Sequence, residues 1–126
     1  MGYKPNGYTS VAAYLIVSGA PKTIAFLSKV FGATELRRMQ RPDGSIMHAE
    51  VRIDDTVLML ADGTAEWQPM PAHVHIYVAD VDAVYQRALE AGATAVMAPM
   101  KKDDEDKRGG FQDSGGTTWW VATKVE

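Results

Sequence analysis

The sequence has 126 residues, a hydrophobic fraction of 46%, a charged fraction of 23% and a net charge of −3. The mild acidity leaves no broad basic surface for phosphate groups, which excludes nucleic acid as an expected partner. The absence of cysteine excludes disulfides, thiolate metal sites and cysteine nucleophiles, and it fits a cytoplasmic location. No stretch has the pattern of a signal peptide or a membrane span, so no membrane partner is expected.

The first half of the chain predicts a strand, a helix and three further strands. The first strand is the β-rich run 11–18, and apolar residues at helical spacing predict a helix between Pro21 and Gly32. Further strands are predicted at 34–41, 46–53 and 56–61. In 46–53, alternation puts Met47 on the face of Ala49 and leaves His48 and Glu50 on the other.

The second half repeats this order after a connector at 62–72. Asp80 is the predicted N-cap of the second helix, and Gly92 is predicted to end it. The predicted strands of this half are 73–78, 94–98, 111–113 and 117–123. The run 101–108 carries four charges of each sign and is interpreted as a solvated loop, with a mobile lid as the alternative.

An internal repeat organises the chain. Val17 corresponds to Val78 at an offset of 61, and Gly32 to Gly92 at an offset of 60. We therefore predict a single domain, 1–126, of two βαβββ repeats at about 9–62 and 73–125. The predicted fold class is α+β, with the repeats forming a cupped mixed β-sheet, the helices on its outer face and a cavity inside.

Several segments resemble the vicinal oxygen chelate superfamily, which includes glyoxalase I, extradiol dioxygenases, fosfomycin-resistance enzymes and bleomycin-binding proteins. They are Tyr14-Leu-Ile-Val, Phe31-Gly-Ala, Asp43-Gly with His48-Ala-Glu, Asp80-Val-Asp-Ala and Asp113-Ser-Gly-Gly. The likeness is greatest to the PhnB-like branch and covers nearly the whole chain. It is specific for fold and implies no single reaction, because this scaffold hosts many chemistries.

The resemblance also tests for a catalytic metal. Metal-using members bind a divalent ion through one side chain from the first and one from the last strand of each repeat. The positions that match are Ala12, Met59, His73 and Trp120. Only His73 suits a hard cation, so the resemblance implies no metal and no cofactor. An atypical site formed by His73 and His75 is the alternative.

Strand alternation predicts the side chains that line the cavity. The predicted ligand-binding residues are Tyr14, His48, Glu50, Met59, His73, His75 and Trp120. Trp120 and Tyr14 offer flat faces for a planar ligand, while His48 and Glu50 offer a hydrogen-bonding or proton-transfer pair. The competing interpretation makes Trp120 a core residue and His48–Glu50 a structural polar cluster. A one-residue slip in register would reverse every assignment.

Three functions remain open at this point. The first is a metal-independent small-molecule binding protein that sequesters an aromatic or antibiotic-like ligand. The second is a lyase- or isomerase-type enzyme that uses His48, Glu50 or His73 as acid or base, or an atypical metal. The third is a subunit whose role is association, with the cavity filled by its own side chains. The resemblance implies a homodimer in all three. No serine stands in a nucleophile-elbow context, which disfavours serine catalysis.

Overall fold

The computed structural model describes residues 2–126, which form two units of identical element order. Unit 1 ends at Met70 and unit 2 is Pro71–Glu126. Unit 1 contains β1 (Tyr14–Val17), α1 (Ala20–Phe31), β2 (Thr34–Gln40), β3 (Ile46–Ile53) and β4 (Thr56–Asp62). Unit 2 contains β5 (Ala72–Tyr77), α2 (Val81–Glu90), β6 (Thr94–Lys101), β7 (Asp106–Gln112) and β8 (Thr117–Lys124). The α+β class and the duplicated βαβββ order are confirmed.

Each unit has its own four-stranded mixed sheet. The strand orders are β1-β4-β3-β2 and β5-β8-β7-β6, with β1 parallel to β4, β5 parallel to β8 and the other pairs antiparallel. Tyr14 lies opposite Met59 in unit 1, and His75 lies opposite Trp120 in unit 2. Both members of the first pair are separated from those of the second by 61 residues, so these paired strands occupy equivalent positions in the two units.

The two helices differ in their local caps, although each also takes a hydrogen bond from the last strand of its unit. In α2 the Val81 N–H donates to Thr123 Oγ1 at 2.9 Å. Asp80 is the N-cap of α2, as predicted, and its side chain accepts a hydrogen bond from the Ala83 N–H at 3.1 Å. The N-cap of α1 is Gly19, which has no side chain to contribute. Asp62 at the end of β4 replaces it, because its Oδ1 accepts from the backbone N–H groups of Gly19 and Ala20. The other oxygen of Asp62 accepts from the Ile46 N–H at 2.8 Å, which ties β3 to the same carboxylate.

The core of each unit lies between its helix and one face of its sheet. Helix α1 contacts β2, β3 and β4, and α2 contacts β6, β7 and β8. The fully buried large side chains include Val17, Leu27, Val30, Ile46, Val51, Val57 and Leu60 in unit 1 and Phe111, Trp119 and Val121 in unit 2. Tyr14, in contrast, is 47% exposed beside buried Leu15, so the predicted alternation in the first strand is confirmed.

Two predictions about strands in unit 1 are wrong, namely the start of the first strand at Val11 and the position of Met47 on the face of Ala49. The first strand begins at Tyr14, not Val11, and the Val11 side chain is 85% exposed. A β-bulge interrupts β3, because Met39 is opposite His48 whereas Gln40 is opposite Ile46. The extra residue, Met47, is therefore exposed, and Ile46 takes the buried position. The bulge leaves His48 and Glu50 on the predicted face.

The interpretation of 101–108 as a solvated loop is also wrong. Strand β6 continues to Lys101 instead of ending at Ala98, and β7 starts at Asp106, so only residues 102–105 connect them. Asp106 is buried although it lies in a charged run. Within residues 2–126, neither helix has the length and apolar character needed to cross a membrane.

Candidate functional site

The seven predicted site residues fall into two clusters, one on each unit. Tyr14, His48, Glu50 and Met59 belong to unit 1, whereas His73, His75 and Trp120 belong to unit 2. The sheet of unit 1 arranges the first cluster. Tyr14 on β1 is opposite Met59 on β4, which is opposite Glu50 on β3. Residues opposite one another share a sheet face, and His48 shares it because it is two residues from Glu50.

A chain of hydrogen bonds joins three of these side chains. The Tyr14 hydroxyl lies 2.8 Å from His48 Nδ1, and His48 Nε2 lies 2.8 Å from Glu50 Oε2. The rings of Tyr14 and His48 are tilted by 37° with their centroids 5.5 Å apart. The imidazole of His48 therefore bridges an exposed phenol and a buried carboxylate, an arrangement of the kind that supports proton transfer.

Tyr8 completes this cluster. It lies in the segment before β1 that forms no strand or helix, and its hydroxyl donates to Glu50 Oε1 at 2.5 Å. The hydrogen bonds from Tyr8 and then from His48 hold the pKa of Glu50 below its usual range, against the effect of burial. The same bond to Glu50 raises the pKa of Tyr8. Sequence reasoning missed Tyr8, because no strand or helix periodicity marks its segment.

Trp120 and His73 form the centre of the second cluster. The Trp120 indole N–H donates to His73 Nδ1 at 3.0 Å, and the planes of the two rings are nearly parallel, with 8° between them. Gly110 on β7 lies opposite Trp120 on β8. A Cβ atom at Gly110 would come within 2.6 Å of the Trp120 ring, so the absence of a side chain there lets the indole lie over the strand.

Gly110→Ala is therefore expected to displace the Trp120 ring and to lower the free energy of unfolding by about 1–3 kcal/mol. Urea denaturation measures this change, and a shift in tryptophan emission that is absent in the Trp120→Ala background reports the displacement. The same substitution in a Trp120→Ala background should cost clearly less, because the clashing atoms are gone. If Gly110→Ala lowered the free energy of unfolding equally in the wild-type and Trp120→Ala proteins, the contact between position 110 and the indole would be contradicted.

A charged network lies beside this pair. Asp106 Oδ2 accepts from the Tyr77 hydroxyl at 2.7 Å and from Arg108 Nη2 at 2.8 Å, and Arg108 Nη1 contacts Asp104 at 3.1 Å. Arg108 Nε also donates to His75 Nε2 at 3.4 Å. Burial and then the charge of Arg108 lower the pKa of His75, so its imidazole is neutral at neutral pH. Sequence reasoning missed Asp106 and Arg108, because a run of mixed charges usually lies in solvent.

Asp104, Asp106 and Arg108 of this network border a cavity of about 220 Å³ within unit 2. Of the predicted site residues of this unit, Trp120 lines the cavity, whereas His73 and His75 do not. Its lining consists of Met97, Met100, Lys102, Asp104, Asp106, Arg108 and Trp120. Apolar atoms come from the two methionines and the indole, and two acidic and two basic side chains surround them. An apolar recess with a few polar groups at its edge is the usual construction of a small-molecule site.

Comparison with known proteins agrees with this architecture. The sequence pattern of the Glyoxalase/Bleomycin resistance protein/Dioxygenase superfamily matches residues 8–121. The chain belongs to this superfamily. A Mycobacterium tuberculosis (H37Rv) protein, Rv0887c, is 37% identical over 131 residues, which cover 95% of this chain and 77% of that protein.

Solved structures of the superfamily fold resemble the chain over most of its length. TioX from Micromonospora sp. ML1 superposes with a TM-score of 0.76 at 22% identity, covering 92% of this chain and 98% of TioX. TnmS3, an antibiotic binding protein from Streptomyces sp. CB03234, gives a TM-score of 0.71 at 21% identity, covering 98% of each chain. At these identities the likeness establishes the fold alone.

The donor set for the metal of metal-using superfamily members does not fit a divalent ion here. Ala12 has no donor atom, and Met59 offers a thioether, which suits soft metals. The N–H of Trp120 is a donor, and it occupies the Nδ1 lone pair of His73. Neutral His73 consequently carries its proton on Nε2, which leaves no lone pair for a cation.

The atypical pair His73 and His75 fits no better. Arg108 donates to His75 Nε2, and its positive charge lies where it would repel a metal ion. Across residues 2–126, no three histidine, aspartate or glutamate side chains are grouped in a way that would hold a metal.

Proposed function

We propose that the protein binds a small planar molecule, without a metal ion, in the cavity of unit 2 beside Trp120. The observation that carries this proposal is the combination of an indole platform and two methionines with the Asp104–Arg108–Asp106 network around one recess. A flat apolar ligand can stack on the indole and direct a polar substituent toward the charged side chains.

The size and charge of the cavity narrow the ligand class. Its volume of about 220 Å³ is below the roughly 300–1,000 Å³ of sites for drug-sized ligands, which favours a single planar ring system. Lys102 and Arg108 are balanced by Asp104 and Asp106, so the lining has no excess of either charge. The ligand class is therefore a neutral or zwitterionic aromatic compound. TnmS3, described as an antibiotic binding protein, gives this class a precedent on the same fold.

Two alternatives receive different support. The cavity is far larger than the roughly 30 Å³ that one water occupies, which counts against a purely associative role for unit 2. Enzymatic acid–base chemistry has one observation in its favour, the Tyr14–His48–Glu50 chain on unit 1. The finer expectations, namely a homodimer, the PhnB-like branch, a cytoplasmic location and one domain over 1–126, stay predictions.

Titration with planar aromatic compounds tests the binding proposal. Quinoline, phenazine and naphthoquinone are suitable probes, and intrinsic tryptophan fluorescence should report binding to the wild-type protein. Calorimetry on Trp120→Ala is expected to give a Kd raised about 10-fold or more, the loss that corresponds to about 1.4 kcal/mol of stacking and burial.

Trp67→Ala is the matched control, because Trp67 is 70% exposed in the connector outside the cavity. Its Kd should equal that of the wild type, and treatment with a chelator should change neither value. Equal affinity of Trp120→Ala and wild type for every bound probe would remove the cavity assignment. Loss of binding after chelation would refute metal independence.

A further inference from the structure

The direction of the hydrogen bonds in unit 1 follows from the charge of Glu50. The lowered pKa of Glu50 keeps it ionised near neutral pH, and a carboxylate only accepts hydrogen bonds. His48 Nε2 must then carry a proton and donate to Glu50, and in the neutral form of the ring Nδ1 is an acceptor. In that form the Tyr14 hydroxyl donates to Nδ1, and the lone pairs of its oxygen are available to an electrophile.

The cluster has a buried end at Glu50 and a solvent-exposed end at Tyr14. Glu50 is only 5% exposed, and Tyr8 fixes its second oxygen. The strand register across β1, β4 and β3 fixes the backbone positions of Tyr14 and Glu50. Tyr14, by contrast, is 47% exposed, so a small molecule can reach it. In nucleophilic sites the nucleophile typically contacts a base, and a third group orients that base. Tyr14, His48 and Glu50 have this arrangement.

We propose that Tyr14 is a base-assisted nucleophile and that the Tyr14–His48–Glu50 cluster is a reactive site for small electrophiles. The roles follow the logic of a hydroxyl, an imidazole and a carboxylate acting in series. The Tyr14 oxygen forms a bond to the electrophilic atom as the leaving group departs, and the phenol proton moves to His48 Nδ1. Glu50 stabilises the imidazolium that results. None of its residues is among those that line the cavity of unit 2, so the inference does not depend on the proposed ligand.

Phenylmethanesulfonyl fluoride tests the proposal without knowledge of a natural substrate. The phenol oxygen forms an S–O bond, the S–F bond breaks, fluoride leaves, and the proton passes through His48 to solvent. Peptide mapping by mass spectrometry gives the labelling rate of each tyrosine in the intact chain. Tyr3 is an internal reference, because it is 90% exposed and outside the cluster.

Accessibility alone would make Tyr3 the faster of the two residues. Assistance by His48 is instead expected to label Tyr14 at least about 10-fold faster than Tyr3, a cautious value for general-base catalysis, which typically contributes 10²–10⁴-fold. His48→Gln should reduce the Tyr14 rate to that of Tyr3, because an amide cannot accept the proton. Met47→Gln places the same side chain at the neighbouring exposed position and should leave the Tyr14 rate unchanged.

The ratio of the Tyr14 to the Tyr3 labelling rate in the wild-type protein tests the proposal even if a variant folds poorly. A Tyr14 rate equal to or below that of Tyr3 in the wild type would overturn the proposal. So would an excess that persists in folded His48→Gln, because the base would then be irrelevant. Circular dichroism establishes which variants are folded before their rates are compared.

Discussion

Replacing Asp113 with alanine is expected to lower the free energy of unfolding by about 3–5 kcal/mol. Asp113 Oδ1 accepts from the backbone N–H groups of Gly115 and Thr117 at 2.9 and 3.1 Å, and Oδ2 accepts from the Trp119 indole at 2.9 Å. The carboxylate is 5% exposed, and Trp119 is 1% exposed. Alanine would remove three charge-assisted bonds and deprive buried donors of their acceptor, which costs more than the bonds alone contribute.

Asp43 supplies a matched comparison in the turn between β2 and β3. Its Oδ1 also accepts from a backbone N–H two residues later, that of Ser45, but the residue is exposed. Asp43→Ala should therefore shift the urea midpoint only slightly. Equal shifts for Asp43→Ala and Asp113→Ala would show that burial and the Trp119 bond contribute little to the stability of the hairpin.

Glu50→Gln is expected to lower the free energy of unfolding by about 1–3 kcal/mol at about pH 7, because the bonds from Tyr8 and His48 lose their charged acceptor. The difference between wild type and variant should depend on pH. The folded protein holds the pKa of Glu50 below its value in the unfolded chain. The ionised carboxylate therefore stabilises the fold above the unfolded pKa, and this stabilisation is lost as the pH falls through the folded pKa.

Urea denaturation of both proteins at several values between about pH 7 and about pH 3 measures this dependence. The gap between the two free energies should narrow on acidification. Glu66→Gln is the control for removing a carboxylate, because Glu66 is exposed in the connector. A gap of constant size over the whole range would show that Glu50 does not titrate with a lowered pKa.

The features that sequence predicted well are those that local periodicity and turn chemistry determine. The correspondence of Val17 with Val78 predicted the duplication, and Asp80 predicted a helix start, because a cap acts within one turn. Alternation in the last strand also distinguished buried Trp119 from partly exposed Trp120. Each of these inferences needs only neighbouring residues.

The features that sequence missed depend on contacts between distant residues. Tyr8 reaches Glu50 across 42 positions, and no pattern around Tyr8 marks that contact. The bulge at Met47 arises from pairing with β2 and is invisible in the alternation of 46–53. Asp106 is buried with its Oδ2 bonded to Tyr77 and Arg108, whereas its neighbours in the sequence indicate a solvated segment. In each case the partner that decides the outcome lies on another strand or in another segment.

The caps of the two helices show how far each first turn depends on the rest of its unit. The first turn of α2 has a local cap from Asp80, which precedes it directly, and its Val81 N–H also donates to Thr123 Oγ1, 42 residues later in the chain. The first turn of α1 receives its cap from Asp62, which is 42 residues later in the chain than Ala20. Because closing so long a loop is entropically costly, the first turn of α1 becomes fully hydrogen-bonded only after β4 has joined the sheet. Both helices thus take one first-turn hydrogen bond from the last strand of their own unit, and only α2 also has a side-chain cap next to it in the sequence.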